Sequence, residues 1–232
     1  MSDPSSQIDL SSPRTNGQIL DVAFRTYARR PLLFMFLTAI VLIPYGAVVV
    51  LVAQSKHVAA ATELLLALAE LALVNPVIAA LQMQALLDLG DGRRPQISDV
   101  IARGLRVLAV VAAADIIAGI CEVAGLFFFV IPGVFAAVRL AVAAPVAATE
   151  GITWPEAIRR SLELTQGNFW RVLVLLAIQA VLTYIVALIL GAGSVAGVAV
   201  GALLAVLAQS FCMLLINLLY FDLRARQTAP VG

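Results

Sequence analysis

The chain has 232 residues, of which 62% are hydrophobic and 12% charged, with a formal net charge of +1. A soluble domain of this length carries roughly twice that share of charge, and the apolar runs leave no room for a separate soluble domain of ordinary size. Both cysteines, Cys121 and Cys212, fall inside apolar runs, where they read as small core hydrophobes with no disulfide between them.

Residues 1–16 are polar and rich in Ser, Asp and Pro. They lack the apolar core of a signal peptide and are expected to form a disordered cytoplasmic tail. Residues 17–226 form the membrane domain, and 227–232 a short C-terminal tail.

Six apolar stretches follow. The first is Pro31–Val52, with Pro44 inside it. The second is Val58–Leu89, interrupted by Asn75-Pro76. A straight helix of that length measures roughly 45 Å, beyond the ~30 Å hydrocarbon core, so it must kink, tilt or protrude. The third is Val107–Val130, followed by Ile131-Pro132-Gly133 as a very short turn and a fourth stretch, Val134–Ala148. The fifth is Phe169–Leu190 and the sixth Val195–Phe221.

Three similar segments lead into the three pairs of stretches: Gly17–Arg30, Gln96–Val107 and Trp154–Gln166. Each has an acid four residues before an Arg: Asp21 and Arg25, Asp99 and Arg103, Glu156 and Arg160. Acid before base is the favourable order for such a helical pair. Each also has an apolar face, formed by Leu20, Phe24 and Tyr27, by Ile97, Ile101 and Leu105, and by Trp154, Ile158 and Leu162. Thr15 with Gln18 and Thr153 with Glu156 have capping-box spacing. The expected fold is all-α integral membrane: six transmembrane helices as three hairpins, each preceded by a cytoplasmic interfacial amphipathic helix.

Charge sets the orientation. Thirteen of the fifteen Lys and Arg fall on one side of these stretches; Lys56 falls on the other, and Arg139 inside the fourth. Short cytoplasmic loops collect Lys and Arg, so both termini are expected in the cytoplasm of a bacterial cell, with the spans in its inner membrane. Arg25, Arg103, Arg159, Arg160 and Arg171 are candidate contacts for anionic lipid headgroups.

Ionisable groups inside spans mark functional sites by default. Glu63 and Glu70, and Asp115 and Glu122, are each seven apart, so each pair shares a helix face. Counting ~1.5 Å per residue from either membrane face brings Glu70, Asp115 and Arg139 to similar depths. Glu70, Asp115, Glu122 and Arg139 form the expected buried charge cluster. It reads either as a lock, with Arg139 pairing Asp115 or Glu70, or as a proton or ion pathway. Asn75, Gln82, Gln84, Gln179 and Gln209 read as hydrogen-bonding groups between helices. Gly193, Gly197 and Gly201 put a small-residue groove on one face of the sixth span, for packing against a neighbouring span.

No catalytic or metal constellation is present. His57 is the lone histidine, beside Lys56 and without a second metal ligand, and no G-x-S-x-G or phosphate-binding glycine loop occurs. No cofactor and no nucleic acid is expected.

An ordered string runs through the second half: Ile131-Pro132-Gly133, Arg139-Leu140, Ala144-Pro145, Glu150-Gly151, Ala157-Ile158-Arg159-Arg160-Ser161 and Gly167-Asn168-Phe169-Trp170-Arg171, closed by Leu219-Tyr220-Phe221-Asp222-Leu223-Arg224. It resembles the membrane domain attached to some bacterial glycerophosphoryl diester phosphodiesterases, which also occurs alone. Ile19–Pro31 is similar to that domain's opening helix. The hydrolase domain is absent, so the resemblance implies no phosphodiesterase activity. The expected function is a non-catalytic multi-pass membrane protein engaging phospholipid or partner proteins at the cytoplasmic face. The alternatives are a small-solute or lipid transporter using the buried carboxylates, and an accessory membrane subunit of a separate phosphodiesterase.

Overall fold

The computed structural model describes residue 10 and residues 12–55, 59–190 and 195–228, with 195–199 through the backbone alone. Lys56, His57 and Gly193 lie outside the described residues, as do most of the predicted N-terminal tail and the last four residues. Among the described residues all regular structure is helical. The helices are α1 (Asn16–Arg29), α2 (Pro31–Ala53), α3 (Ala60–Ala69), α4 (Asn75–Gly90), α5 (Ile97–Phe128), α6 (Val130–Leu140), α7 (Ala143–Thr149), α8 (Trp154–Thr165), α9 (Phe169–Leu190) and α10 (Val195–Thr228). A π-helical turn, Glu70–Val74, joins α3 to α4.

Six segments are long and apolar enough to cross a membrane: Pro31–Ala53, Ala60–Gly90, Ile97–Phe128, Val130–Thr149, Phe169–Leu190 and Val200–Thr228. The chain is thus a multi-pass helical membrane protein. These segments match the six apolar stretches of the sequence, with three departures at their boundaries.

The first departure is that α5 runs unbroken for 32 residues, from within the second charged segment to Phe128. No proline interrupts it, so nothing ends a helix near Val107. At roughly 48 Å it is longer than a hydrocarbon core is thick, so it tilts or projects beyond one face.

The second is that Ile131-Pro132-Gly133 is the first turn of α6 and not a loop. Proline is tolerated there because the first N–H groups of a helix have no partner inside it. The reversal is made at Phe129 alone, whose backbone is extended. Gly125 and Gly133 allow it. A Cβ on Gly125 would come within 2.7 Å of the Gly133 Cα, so α5 and α6 touch backbone to backbone.

The third is that the N-terminal segment makes packing contacts at Leu10 and Arg14. Leu10 lies against the core, and the Arg14 backbone N–H donates to the Asp222 carboxylate. The expected tail of 1–16 is therefore shorter than the sequence suggests.

α1 runs antiparallel to the last turns of α10, tied at one end by Arg14 to Asp222 and at the other by Tyr27 to Ser210 at 2.7 Å. Its buried residues are Ile19, Ala23 and Thr26, whereas Phe24 is 66% exposed. The same shift recurs elsewhere. Val100 and Gly104 are buried in α5, and Ala157, Ser161 and Leu164 in α8, while Ile97, Leu105 and Trp154 stay exposed. Mostly small residues face the bundle, and several large residues of the predicted apolar faces point outward. Both capping boxes are formed, at Thr15 and at Thr153.

The tightest core lies at the end of the bundle that holds α1, α8 and the end of α10, where Leu215, Leu218 and Tyr220 are buried. At the opposite end Leu51, Leu65, Val123 and Ile131 are exposed, as side chains facing lipid tails are.

Candidate site: an acid-lined cavity between broken helices

Two of the spanning segments are interrupted, each beside a proline. Pro76 has no N–H to give to the Ala72 carbonyl, and its ring crowds that carbonyl. The chain answers with the π turn, in which the Asn75 N–H bonds to the Glu70 carbonyl. Short π segments are frequent at functional sites. Pro145 likewise has no N–H for the Ala141 carbonyl, and the fourth segment breaks at Ala141-Val142 into α6 and α7. α6 ends before the Arg139 carbonyl has found a helical partner. The Ser161 and Thr165 hydroxyls of α8 donate to it, at 2.9 and 3.2 Å. A freed backbone group inside a membrane protein must be satisfied in some such way.

Both breaks border one cavity of about 680 Å³, enclosed by α4, α5, α6, α7, α9 and α10 with the π turn. Leu71 and Asn75 reach it from one break, Ala141 and Ala144 from the other. The exposed Tyr184 is among its lining residues, so the cavity reaches the surface.

Asp115 and Glu122 both line it, as their seven-residue spacing on α5 requires. Asn217 of α10 and Gln179 of α9 also line it. The Asn217 Nδ2 and the Gln179 Oε1 are buried without a hydrogen-bond partner. Asn217 is 1% exposed.

The predicted four-residue charge cluster is not assembled. Glu70 is exposed and accepts a hydrogen bond from the Tyr45 hydroxyl at 3.2 Å. Arg139 makes no ion pair with Asp115 or Glu70; its guanidinium carbon lies 6.0 Å from the centre of the Phe135 ring. The lock reading fails because Arg139 sits on another face of α6 from the residues that wall the cavity. The interhelical amides behave as expected apart from Gln179. The Gln209 side chain donates to Asn75 at 3.1 Å, Gln82 to Thr38 at 2.9 Å, and Gln84 to the Ala148 carbonyl at 3.2 Å.

The candidate headgroup arginines are largely engaged within the protein. Arg25 pairs with Asp21 at 2.9 Å, the one predicted intrahelical pair that forms. Arg103 turns away from Asp99 to the buried Asp88. Arg160 turns away from Glu156 to Glu150 at 3.5 Å and Glu163 at 3.3 Å. Arg171 pairs with the fully buried Asp222 at 3.1 Å, joined there by Arg226 at 3.0 Å. Arg159 acts on Glu156 across one helical turn. The Glu156 carboxyl is held below its usual range, first by the Thr153 backbone N–H, then by the Thr153 hydroxyl, with a smaller contribution from Arg159.

Gly201 packs against Leu190 of α9, where a Cβ would come within 2.5 Å of the Leu190 Cδ2. The small-residue groove is thus used within the chain at this position; the surroundings of Gly197 fall outside the described side chains. Among the described residues no group of three or more His, Cys, Asp or Glu is placed to hold a metal ion.

Fold and cavity together define a multi-pass helical membrane protein with a cavity between its spans whose largely apolar wall carries two carboxylates. No family model matches the chain, and neither a curated protein nor a solved structure does.

Proposed function

We propose that this protein takes up a small solute or lipid molecule within the membrane and passes it across, with the Asp115 and Glu122 carboxylates in the binding chamber. The observation that carries this reading is the cavity itself, which holds both acids and reaches the surface. The two broken helices beside it support the reading, because transporter sites are commonly built from discontinuous spans near mid-membrane.

Cysteine accessibility tests it. Cys121→Ser removes the exposed native thiol, and Ala118→Cys or Ala144→Cys then places one on the cavity wall. A hydrophilic thiol reagent should modify both, and should leave Val181→Cys, on an exposed apolar face, untouched. Unmodified wall cysteines would mean a dry cavity and end the transport reading.

The orientation belongs to the same proposal: both termini in the cytoplasm, a bacterial inner membrane, and three hairpins led by α1, the first turns of α5, and α8 as interfacial amphipathic helices. The charge sidedness and the outward-facing Phe24 and Trp154 support it, since aromatic and basic residues gather at membrane interfaces. The similarity to the phosphodiesterase-associated membrane domain is proposed on the ordered string from Ile131 to Arg171. A second reading, that this face engages phospholipid or a partner protein, is favoured by the same exposed aromatics, with Trp170 at 76% exposure.

A further inference from the structure

We propose that the cavity selects an amphipathic organic cation, an ammonium head on an apolar body. This rests on the reading of the cavity as a solute site and specifies what that site takes.

The charge inside is one-sided. Asp115 and Glu122 line the cavity, and no Lys, Arg or His is among the described residues that do. The base nearest in sequence to a wall residue, Arg139, is directed to Phe135. Carboxylates inside a membrane are costly as anions unless paired, and among the described residues no cationic side chain lines the cavity to pair them.

The amides point to a ligand independently. The Asn217 Nδ2 is an unpartnered donor in a residue 1% exposed, and the Gln179 Oε1 an unpartnered acceptor. Leaving such a buried group unmade costs about 1–3 kcal/mol, a cost that a ligand atom or a water held in the cavity removes. A ligand N–H satisfies Gln179, and a ligand oxygen or a water carried with the head satisfies Asn217.

The size and walls suit a molecule larger than a bare ion. The volume of about 680 Å³ lies within the ~300–1,000 Å³ of sites for drug-sized molecules. Leu71, Leu176, Met213 and Ile216 supply apolar wall, and the Tyr184 ring offers a face on which an ammonium group can rest. An anionic lipid headgroup would meet two like charges.

A series of three probes that share a body and differ in charge tests this: 4-phenylbutylammonium, 4-phenylbutanol and 4-phenylbutyrate. Binding is measured to the full chain in phosphatidylcholine nanodiscs, with empty nanodiscs as the reference. The cation should bind at least tenfold tighter than the alcohol, and the carboxylate weakest of all. The cation should also protect Ala118→Cys from the hydrophilic thiol reagent, and the carboxylate should not. Asp115→Asn with Glu122→Gln, checked for a single species by size exclusion, should bring the cation to the affinity of the alcohol. Equal binding of cation and alcohol, preference for the carboxylate, or full cation affinity in the double variant would overturn the proposal. Each would leave a solute cavity of other specificity. Absence of cation binding while Ala118→Cys is still modified overturns the cation alone. An unmodified Ala118→Cys overturns the solute cavity with it. The wild-type series and the protection assay decide the matter even where the double variant does not fold.

Discussion

Asp222 shows how this chain treats charge in its interior. The carboxylate is fully buried, yet it accepts from Arg171, Arg226 and the Arg14 backbone N–H. Asp88 and Glu150 occupy matching places, each near the end of the second segment of a pair, and each takes an arginine from the helix that follows. This is why two of the three predicted intrahelical pairs do not form. An exposed i,i+4 pair contributes about 0.2–0.5 kcal/mol, whereas a buried carboxylate left alone costs several kcal/mol. Arg103 and Arg160 therefore go to the deeper acids. Asp222→Leu strands Arg171 and should lower stability by about 3–5 kcal/mol, read as a large fall in thermal midpoint in detergent. Arg139→Leu breaks no ion pair and should cost less than about 1 kcal/mol, in line with substitutions away from such networks. If Arg139→Leu proved the more damaging of the two, the assignment of the interior charges would be wrong. Glu156 adds a dependence on pH. Its folded-state affinity for a proton is lowered by the Thr153 hydrogen bonds, so its capping contribution is present above the usual glutamate range and is lost as pH falls through the depressed value. Glu156→Gln should make the acid-side loss of stability shallower in a thermal series over pH.

At the scale of elements, the apolar spans and the caps were legible, because length, hydropathy and Thr-x-x-Glu or Thr-x-x-Gln spacing are local signals. Phe169–Leu190 has the same bounds in sequence and structure. The face that each charged segment buries was not legible. The large apolar residues marked only the face turned to the membrane interface, and Ala23, Gly104 and Ala157 meet the neighbouring helices, because small side chains let helices approach closely. The cavity was half legible. The spacing of Asp115 and Glu122 put both acids on one face, and Asn75-Pro76 marked one break. Pro145 was in plain view, yet its effect depends on Ser161 and Thr165 meeting the Arg139 carbonyl from another helix. Asn217 carried no signal, since an amide in an apolar run looks the same whether or not it finds a partner. Close approach also yields a prediction. Gly125→Ala puts a methyl 2.7 Å from the Gly133 backbone, which should force α5 and α6 apart at a cost of about 1–3 kcal/mol. Gly46→Ala meets nothing within 4 Å and should be neutral or stabilising by up to about 1 kcal/mol, as alanine is the better helix former. Equal effects on thermal stability would show that α5 and α6 are not in backbone contact.

The whole molecule is asymmetric along its length. One end holds the buried arginine–carboxylate network, the capping boxes and the densest core; the other exposes apolar side chains. The asymmetry marks the end suited to water, and the proposed orientation puts that end in the cytoplasm on the charge distribution alone. Arginine-rich loops resist translocation. Arg93, Arg94, Arg103 and Arg106 cluster within fourteen positions at the connection between α4 and α5, and the two long helices, α5 and α10, both begin or end at that end of the bundle. A 34-residue α10 is roughly 51 Å long, so about two-fifths of it lies beyond a ~30 Å core if it stands upright. Its charged end, with Asp222, Arg224 and Arg226, is the part suited to project. In intact cells of a cysteine-free variant, an impermeant thiol reagent added outside should therefore modify Ser55→Cys, which is exposed at the end of α2. It should miss Gln96→Cys at the start of α5 and Thr228→Cys at the end of α10, both of which should react once the membrane is permeabilised. External modification of Gln96→Cys with protection of Ser55→Cys would invert the orientation, and modification of Gln96→Cys and Ser55→Cys together would break the six-span arrangement.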